Sequence, residues 1–481
     1  MTIEFTNVPD SIRKPGTYTE EDTSNALRGL VSVPTSVLFI GQRISSGTVA
    51  ALVPTRVYDS ETGKGYFGHG SMLAKMISAG FQANPNMELT AMAVDDAAGV
   101  LAAGAIKFTG TATAAGVLTV YIGNMAIEVP IANSQTAITT ATALVAAMTT
   151  TLMPDLPVTA AVNNPDTTQA DLTAKNKGTM GNDIPIAVTI TAPGITAAIT
   201  PMASGATDPD LTTALTTVYG TQYHLICCGI NAAAVLQKVR DHLTTLAGPL
   251  EQRPGLGVYG HRGSLADATT LAGTSLNSGR MTGALLRATR SLSYEIGAAY
   301  TGVIAAEDDP AAPLNGRILA GLAVPALSSH LSRSEQETAL LNGVVPLEIT
   351  TGDRIRIVRA VSTYVKNGAG TPDETLLDIT TLRTLDDFRY KWRARVEVVF
   401  GPDAPASNRK LLTKNLEKIR AETIGVMVAL ERLERLRNVS TYKDDVLVEE
   451  SITSVGRVNV SIPAPVVPGL HVLAAKFNLV L

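Results

Sequence analysis

The sequence predicts an α/β (α+β) multidomain protein: a mixed-sheet host domain, a β-rich insert within it, and a C-terminal α+β domain with extended terminal arms. Three observations lead there. Short apolar runs alternate with segments of helical spacing. Between Ala97 and Gly220 the chain becomes rich in Ala and Thr, loses most of its charge and alternates with period two. Both ends are apolar, extended and punctuated by prolines. At roughly 150 residues per domain, the 481 residues fit about three domains. The expected boundaries are 1–24 for an N-terminal arm, 25–96 and 220–335 for the host, and 97–219 for the insert. The C-terminal domain is expected over 336–462, with a linker and last strand over 463–481.

In the first segment Pro9, Pro15 and Gly16 forbid a helix. Residues 25–30 suit a short helical turn, 36–41 a buried strand, 71–79 a helix carrying Leu73, Met76 and Ile77, and 87–94 a second strand. In the insert, strands are expected at 106–109, 117–122 and 126–131, the last two joined by the hairpin signal Gly123-Asn124. A helix follows at 136–148, then a strand at 184–191 whose Pro185 marks it as an edge. The host resumes with strands at 223–228 and 257–259 and helices at 232–246, 265–271 and 293–306.

The C-terminal part reads as a strand at 354–361, a helix at 374–385 and a strand at 395–400. Ser407 then offers an N-cap for a long helix, with Leu412, Leu416, Ile419, Val426, Leu430 and Leu433 at helical spacing and Gly425 as a possible break. Strands are expected at 445–450, 457–462 and 471–481.

Composition excludes several functions. The 39 basic and 43 acidic residues leave a net charge of −4, so no global basic field draws nucleic acid. Two adjacent cysteines, Cys227 and Cys228, build no disulfide framework, and six histidines at least 18 positions apart make no local zinc motif. No apolar run approaches the ~18 residues of a membrane span. The start MTIEFTNVPD lacks a secretory pattern, so the chain reads as soluble and cytosolic at synthesis.

Gly255 to Gly260 matches G-x-G-x-x-G but lacks the acid about 20 residues on that a dinucleotide site needs, so it reads as a turn at a strand. His261, Ser264 and Asp267 sit too close in sequence for a nucleophilic relay. The acidic pairs 95–96, 308–309, 386–387 and 444–445 read as helix caps and solvated turns. No catalytic, cofactor-binding or metal-binding residue is assigned. Two patterns stand out instead. Arg409, Lys410, Lys414, Lys418 and Arg420 face one acid, Glu417, in an acidic chain. In the tail, Leu473, Ala475, Phe477, Leu479 and Leu481 fall on one face of a strand, with Lys476 and Asn478 on the other. A solvated helix face explains the first equally well, and a last strand in the chain's own sheet explains the second.

The order of Ile3, Phe5, Val8-Pro9, Ile12-Arg13, Pro15-Gly16, Tyr18, Glu20, Asp22 and Gly41-Gln42 resembles the start of contractile phage tail sheath proteins, the Mu-like branch in particular. The run from Ile379 to Asp386 through Arg389-Tyr390, and Asn415-Leu416-Glu417 after Ser407, resembles that family's C-terminal domain. The resemblance is weak over the insert. It implies a virion structural protein with no cofactor, made in the host cytoplasm, that polymerises as stacked six-fold rings into a helical sheath. Its implied partners are further copies of itself, the tail tube protein, and baseplate and tail terminator proteins, with no nucleic acid and no membrane insertion. It also implies exchange of terminal arms between subunits, through Ile3, Phe5, Val8, Leu473, Phe477, Leu479 and Leu481, and a tube-facing basic helix. The alternatives are an α/β enzyme with a binding insert and a non-contractile scaffold or capsid-type assembly protein.

Overall fold

The structure, a computed structural model, describes residues 13–17, 19, 35–149 and 151–479. The expected turn at 25–30 and the arm residues Ile3, Phe5, Val8 and Leu481 lie outside them. The described chain forms two compact units. The large one spans Pro34–Asp386 together with Val466–Leu481, and the small one contains Asp387–Pro465.

A nine-stranded sheet organises the large unit. Across it run Ile318–Leu319, Arg354–Ile357, Val345–Thr350, Met281–Leu285, Leu256–His261, Leu225–Cys228, Ser36–Gln42, Glu88–Val94 and Thr55–Val57. The strands from Val345–Thr350 to Glu88–Val94 pair in parallel, and antiparallel strands close both edges. The parallel centre explains the continuous apolar runs: Val37 to Ile40 are wholly buried because helices cover a parallel sheet. Ser71 caps the helix Met72–Ala83 by accepting from the Ala74 N–H. That helix packs on Ser293–Ala305, a helix in which Ser293 to Ile304 are all buried.

The glycine motif has a packing role. Gly257 and Gly260 lie inside the strand Leu256–His261, not at a turn. A Cβ on Gly260 would stand 2.1 Å from the Ser293 carbonyl oxygen and 2.4 Å from the Gly297 nitrogen. The buried helix therefore lies directly on the strand backbone, which only glycine permits.

The insert forms two small antiparallel sheets. One is ordered Ile195–Ala203, Leu101–Gly110, Gln169–Lys177, Val158–Val162; the other is Met125–Ile131, Gly116–Ile122, Ile186–Ile190. The Gly123 hairpin forms as expected. The helix Ala137–Ala147 carries a Thr136/Thr139 capping box. Its apolar residues join the same continuous core as the host sheet. The insert is thus folded into the large unit and does not stand apart as surface decoration.

Two boundaries differ from expectation. Val345–Thr350 and Arg354–Ile357 are strands of the central sheet, so the large unit runs to Asp386 and not to 335. The segment 395–400 is helical, the end of Ile379–Phe400, because Phe388, Lys391 and Val399 are buried at helical spacing. The β-branched look of Val396, Val398 and Val399 is overridden by that packing.

Cys227 and Cys228 are both buried. Burial pushes the Cys228 thiol up to about 12 and the Cys227 thiol higher still. Native protein should therefore resist maleimide at neutral pH, while unfolded protein takes up two labels. Fast labelling of the native protein would contradict this packing.

Candidate functional site

The carboxyl ends of parallel strands, where the strand order reverses, are where an α/β sheet offers its ligand crevice. Here the reversal falls at Ser36–Gln42, flanked by Glu88–Val94 and Leu225–Cys228. The insert fills that place. Asp96 Oδ1 accepts from Gln42 Nε2 at 2.7 Å and Asn176 Nδ2 at 3.1 Å, and its Oδ2 accepts from the Lys177 N–H at 2.9 Å. Gln42 Nε2 also donates to the Lys177 carbonyl, and Asn176 Nδ2 to that of Arg43. Asn176 Oδ1 accepts from Met72 N–H, an otherwise orphaned amide at a helix start. The cavity left beside Gln42, Met180 and Tyr294 is about 20 Å³, room for about one water and far too little for a substrate.

The other chemical candidates are spent on structure. Ser264 caps the short helix Leu265–Thr269 and bonds Asp267, while His261 Nδ1 accepts from the Gly263 N–H. Of the acidic pairs expected as caps and solvated turns, Asp308-Asp309 lies in a loop where Asp309 accepts from the Ala311 N–H, whereas Asp95, Asp386 and Asp387 anchor ion pairs. Asp95 meets Arg43, Asp386 binds Arg280 in bidentate fashion, and Asp387 receives Lys391 and Arg435. Among the described residues no cluster of His, Cys, Asp and Glu could hold a metal ion, and no helix is long and apolar enough to cross a membrane.

The exposed features lie in the small unit and in the tail. The small unit pairs Ile379–Phe400, from Asp387 onward, with the helix Thr413–Arg432. Trp392 Nε1 donates to Thr423 Oγ1 at 3.0 Å, and Arg395 meets Glu422 at 2.7 Å. The second helix starts six residues later than Ser407, with Leu412 at its cap. The buried Asn415 causes this: its Nδ2 donates to the carbonyls of Ser407, Asn408 and Lys410 and holds that stretch as turns. The helix passes through Gly425 unbroken, and a Cβ there would meet nothing within 4 Å.

The five basic residues therefore divide. Arg409 and Lys410 sit in the turns and Lys414, Lys418 and Arg420 on the helix. Lys418 donates to Asn408 Oδ1, and Arg420 to the Val446 carbonyl with Asp444 nearby. Arg409, Lys410 and Lys414 are exposed, with no acidic partner among the described residues. A two-stranded antiparallel sheet, Leu447–Glu450 with Val458–Ser461, completes the unit, and among the described residues its strands pair only with each other.

The tail forms no strand over residues 471–479, against expectation. Every residue from Val472 to Leu479 is exposed, including Leu473 at 86%, Phe477 at 95% and Leu479 at 84%. A β-strand needs a partner for its backbone groups, and this chain offers the tail none among the described residues. His471 is the exception, its side chain partly buried against Asn315 and Asp378. Burial lowers the His471 pKa, and Asp378 opposes that only in part.

Fold and surface combine a plugged α/β core, a two-stranded sheet with no third strand among the described residues, and an apolar tail that none of the described residues covers. Comparison with known proteins gives the family. The model of the phage tail sheath protein central domain matches residues 204–363, and that of the phage tail sheath C-terminal domain matches 371–479, together more than half of the chain. A Mu-like prophage FluMu tail sheath protein from Haemophilus influenzae is 28% identical over 475 residues, covering 96% of each chain. The sheath tail protein of Desulfitobacterium hafniense shares the fold, with TM-score 0.50 at 11% identity over 90% of this chain and 93% of its own. So does a chain of the anti-feeding prophage (AFP) baseplate, with TM-score 0.50 at 11% identity over 98% and 100%. The chain belongs to the phage tail sheath family of structural proteins, as the resemblance in its sequence implied.

Two substitutions check these sites. Asn176→Ala leaves the Met72 amide and the Asp96 carboxylate short of partners, and should destabilise the large unit by about 1–3 kcal/mol in urea unfolding. Gly425→Ala should stabilise the small unit by about 0.5–1 kcal/mol, since the added methyl meets open space.

Proposed function

We propose that this protein polymerises, as stacked six-fold rings, into a contractile sheath around a tail tube, and that contraction drives the tube through the host envelope. One observation carries the reading: an apolar tail exposed over its described residues, in a chain whose small sheet has no further strand at either edge among the described residues. A strand donated to a neighbour gains the backbone pairing it lacks at home. Burying Leu473, Phe477 and Leu479 contributes about 1.5–3 kcal/mol each before ordering costs. Each contact is modest, and a subunit held by several neighbours is held firmly. The N-terminal residues Ile3, Phe5 and Val8, and Leu481 at the other end, are assigned the same role by the family resemblance.

Arg409, Lys410 and Lys414 supply the surface that meets the tube, with Lys418 and Arg420 bracing the segment that presents them. Loose positive charge steers an acidic partner and does so less at high salt. Baseplate and terminator proteins are the remaining partners, and the assembled sheath is part of the virion, its subunits made in the host cytoplasm. The enzyme alternative loses its natural site to the insert.

Truncation after Pro468 should leave a folded protein, by circular dichroism, that forms no tubes in electron micrographs; tubes of normal length from it would sink the exchange reading. The double change Lys410→Glu and Lys414→Glu should leave self-assembly intact but abolish sheathing of purified tubes. Unchanged co-assembly would remove the tube-facing role.

A further inference from the structure

The arm does not hang free from its proline linker. We infer that His471 pins its root to the large unit, so that the exchanging segment begins at Val472; this rests on the arm exchange proposed above. The boundary is sharp. Pro465 to Val467, Gly469 and His471 are all partly buried, whereas every residue from Val472 to Leu479 is exposed.

Arg359 and Asp378 form one wall of the socket. Arg359 grips Asp378 through Nε to Oδ1 at 2.9 Å and a terminal nitrogen to Oδ2 at 2.8 Å. The strand-like bridge between Val361 and Asp378 fixes the backbone beneath. Into this frame the His471 ring places Nε2 at 3.4 Å from Asp378 Oδ2, and its Nδ1 accepts from Asn315 Nδ2 at 2.9 Å. Gly469 completes the fit. A Cβ there would come within 2.7 Å of His471 Nε2 and 2.9 Å of Pro313 Cγ, so only glycine lets the chain turn the ring inward beside the proline.

The pin has two consequences. It shortens the free arm to the residues after His471, which span about 33 Å when extended at ~3.3 Å each. A shorter tether keeps the arm at higher effective concentration near its acceptor. It also fixes register. A one-residue slip would turn Leu473, Phe477 and Leu479 to the wrong face of the acceptor sheet. A peg at residue 471 sets which residue arrives first.

Spin labels test this on the full-length, unpolymerised protein. Cys227 and Cys228 are buried, so a single introduced cysteine takes the label. A label at Leu470→Cys should tumble several-fold more slowly than one at Phe477→Cys. His471→Ala should bring the first label to the mobility of the second, and Asn315→Ala, which empties the socket from the other side, should loosen it as well. Equal mobility at the two positions in the parent, or no response to either substitution, would overturn the pin. Neither readout depends on polymerisation, so a failure of the pin is distinguishable from a failure of arm exchange, which the truncation after Pro468 reports.

Discussion

Everything in the large unit depends on how the carboxyl ends of its parallel strands are covered. A parallel sheet leaves an open crevice where its strand order reverses. In this chain the carboxylate of Asp96 and the amides of Gln42 and Asn176 close it from both sides. Buried polar groups are costly when unpaired and specific when paired. This set is nearly saturated, so it fixes the insert at one angle on the host. A shared apolar core continues beneath it.

The same economy appears at the glycines of the strand Leu256–His261. The close approach at Gly260 and Gly297 brings a fully buried helix onto the sheet and leaves no phosphate-sized loop. A motif shared with nucleotide-binding proteins thus serves density alone.

The surfaces proposed for assembly are parts that the described residues leave unsatisfied. In the small unit, turns held by Asn415 present Arg409 and Lys410, and a two-stranded sheet has no further strand at its edges among the described residues. In the tail, large apolar side chains stay in water. Such features are liabilities in a monomer and bonding sites in a polymer. The His471 socket confines the liability to a short terminal segment.

The sequence by itself determined a good deal. Local patterns were legible wherever one physical signal dominated: the buried strand from Ser36, the Gly123 hairpin, the β-rich insert, the apolar tail and the excess of basic residues between Ser407 and Arg420. The tail's alternation showed what it could bury, and the chain's charge balance and its cysteine and histidine spacing argued against a global basic field, a disulfide framework and a local zinc motif. Only the tertiary structure decided the rest, because the deciding contacts join residues far apart in the chain. Val345–Thr350 is a strand of the central sheet because Met281–Leu285 offers it an edge. The segment 395–400 is helical because its neighbours Trp392 and Arg395 engage Thr423 and Glu422. Ser407 fails to cap a helix because Asn415 claims the carbonyls there. The tail is no strand over its described residues because a ladder needs a second strand, and alternation in one chain cannot say which molecule supplies it.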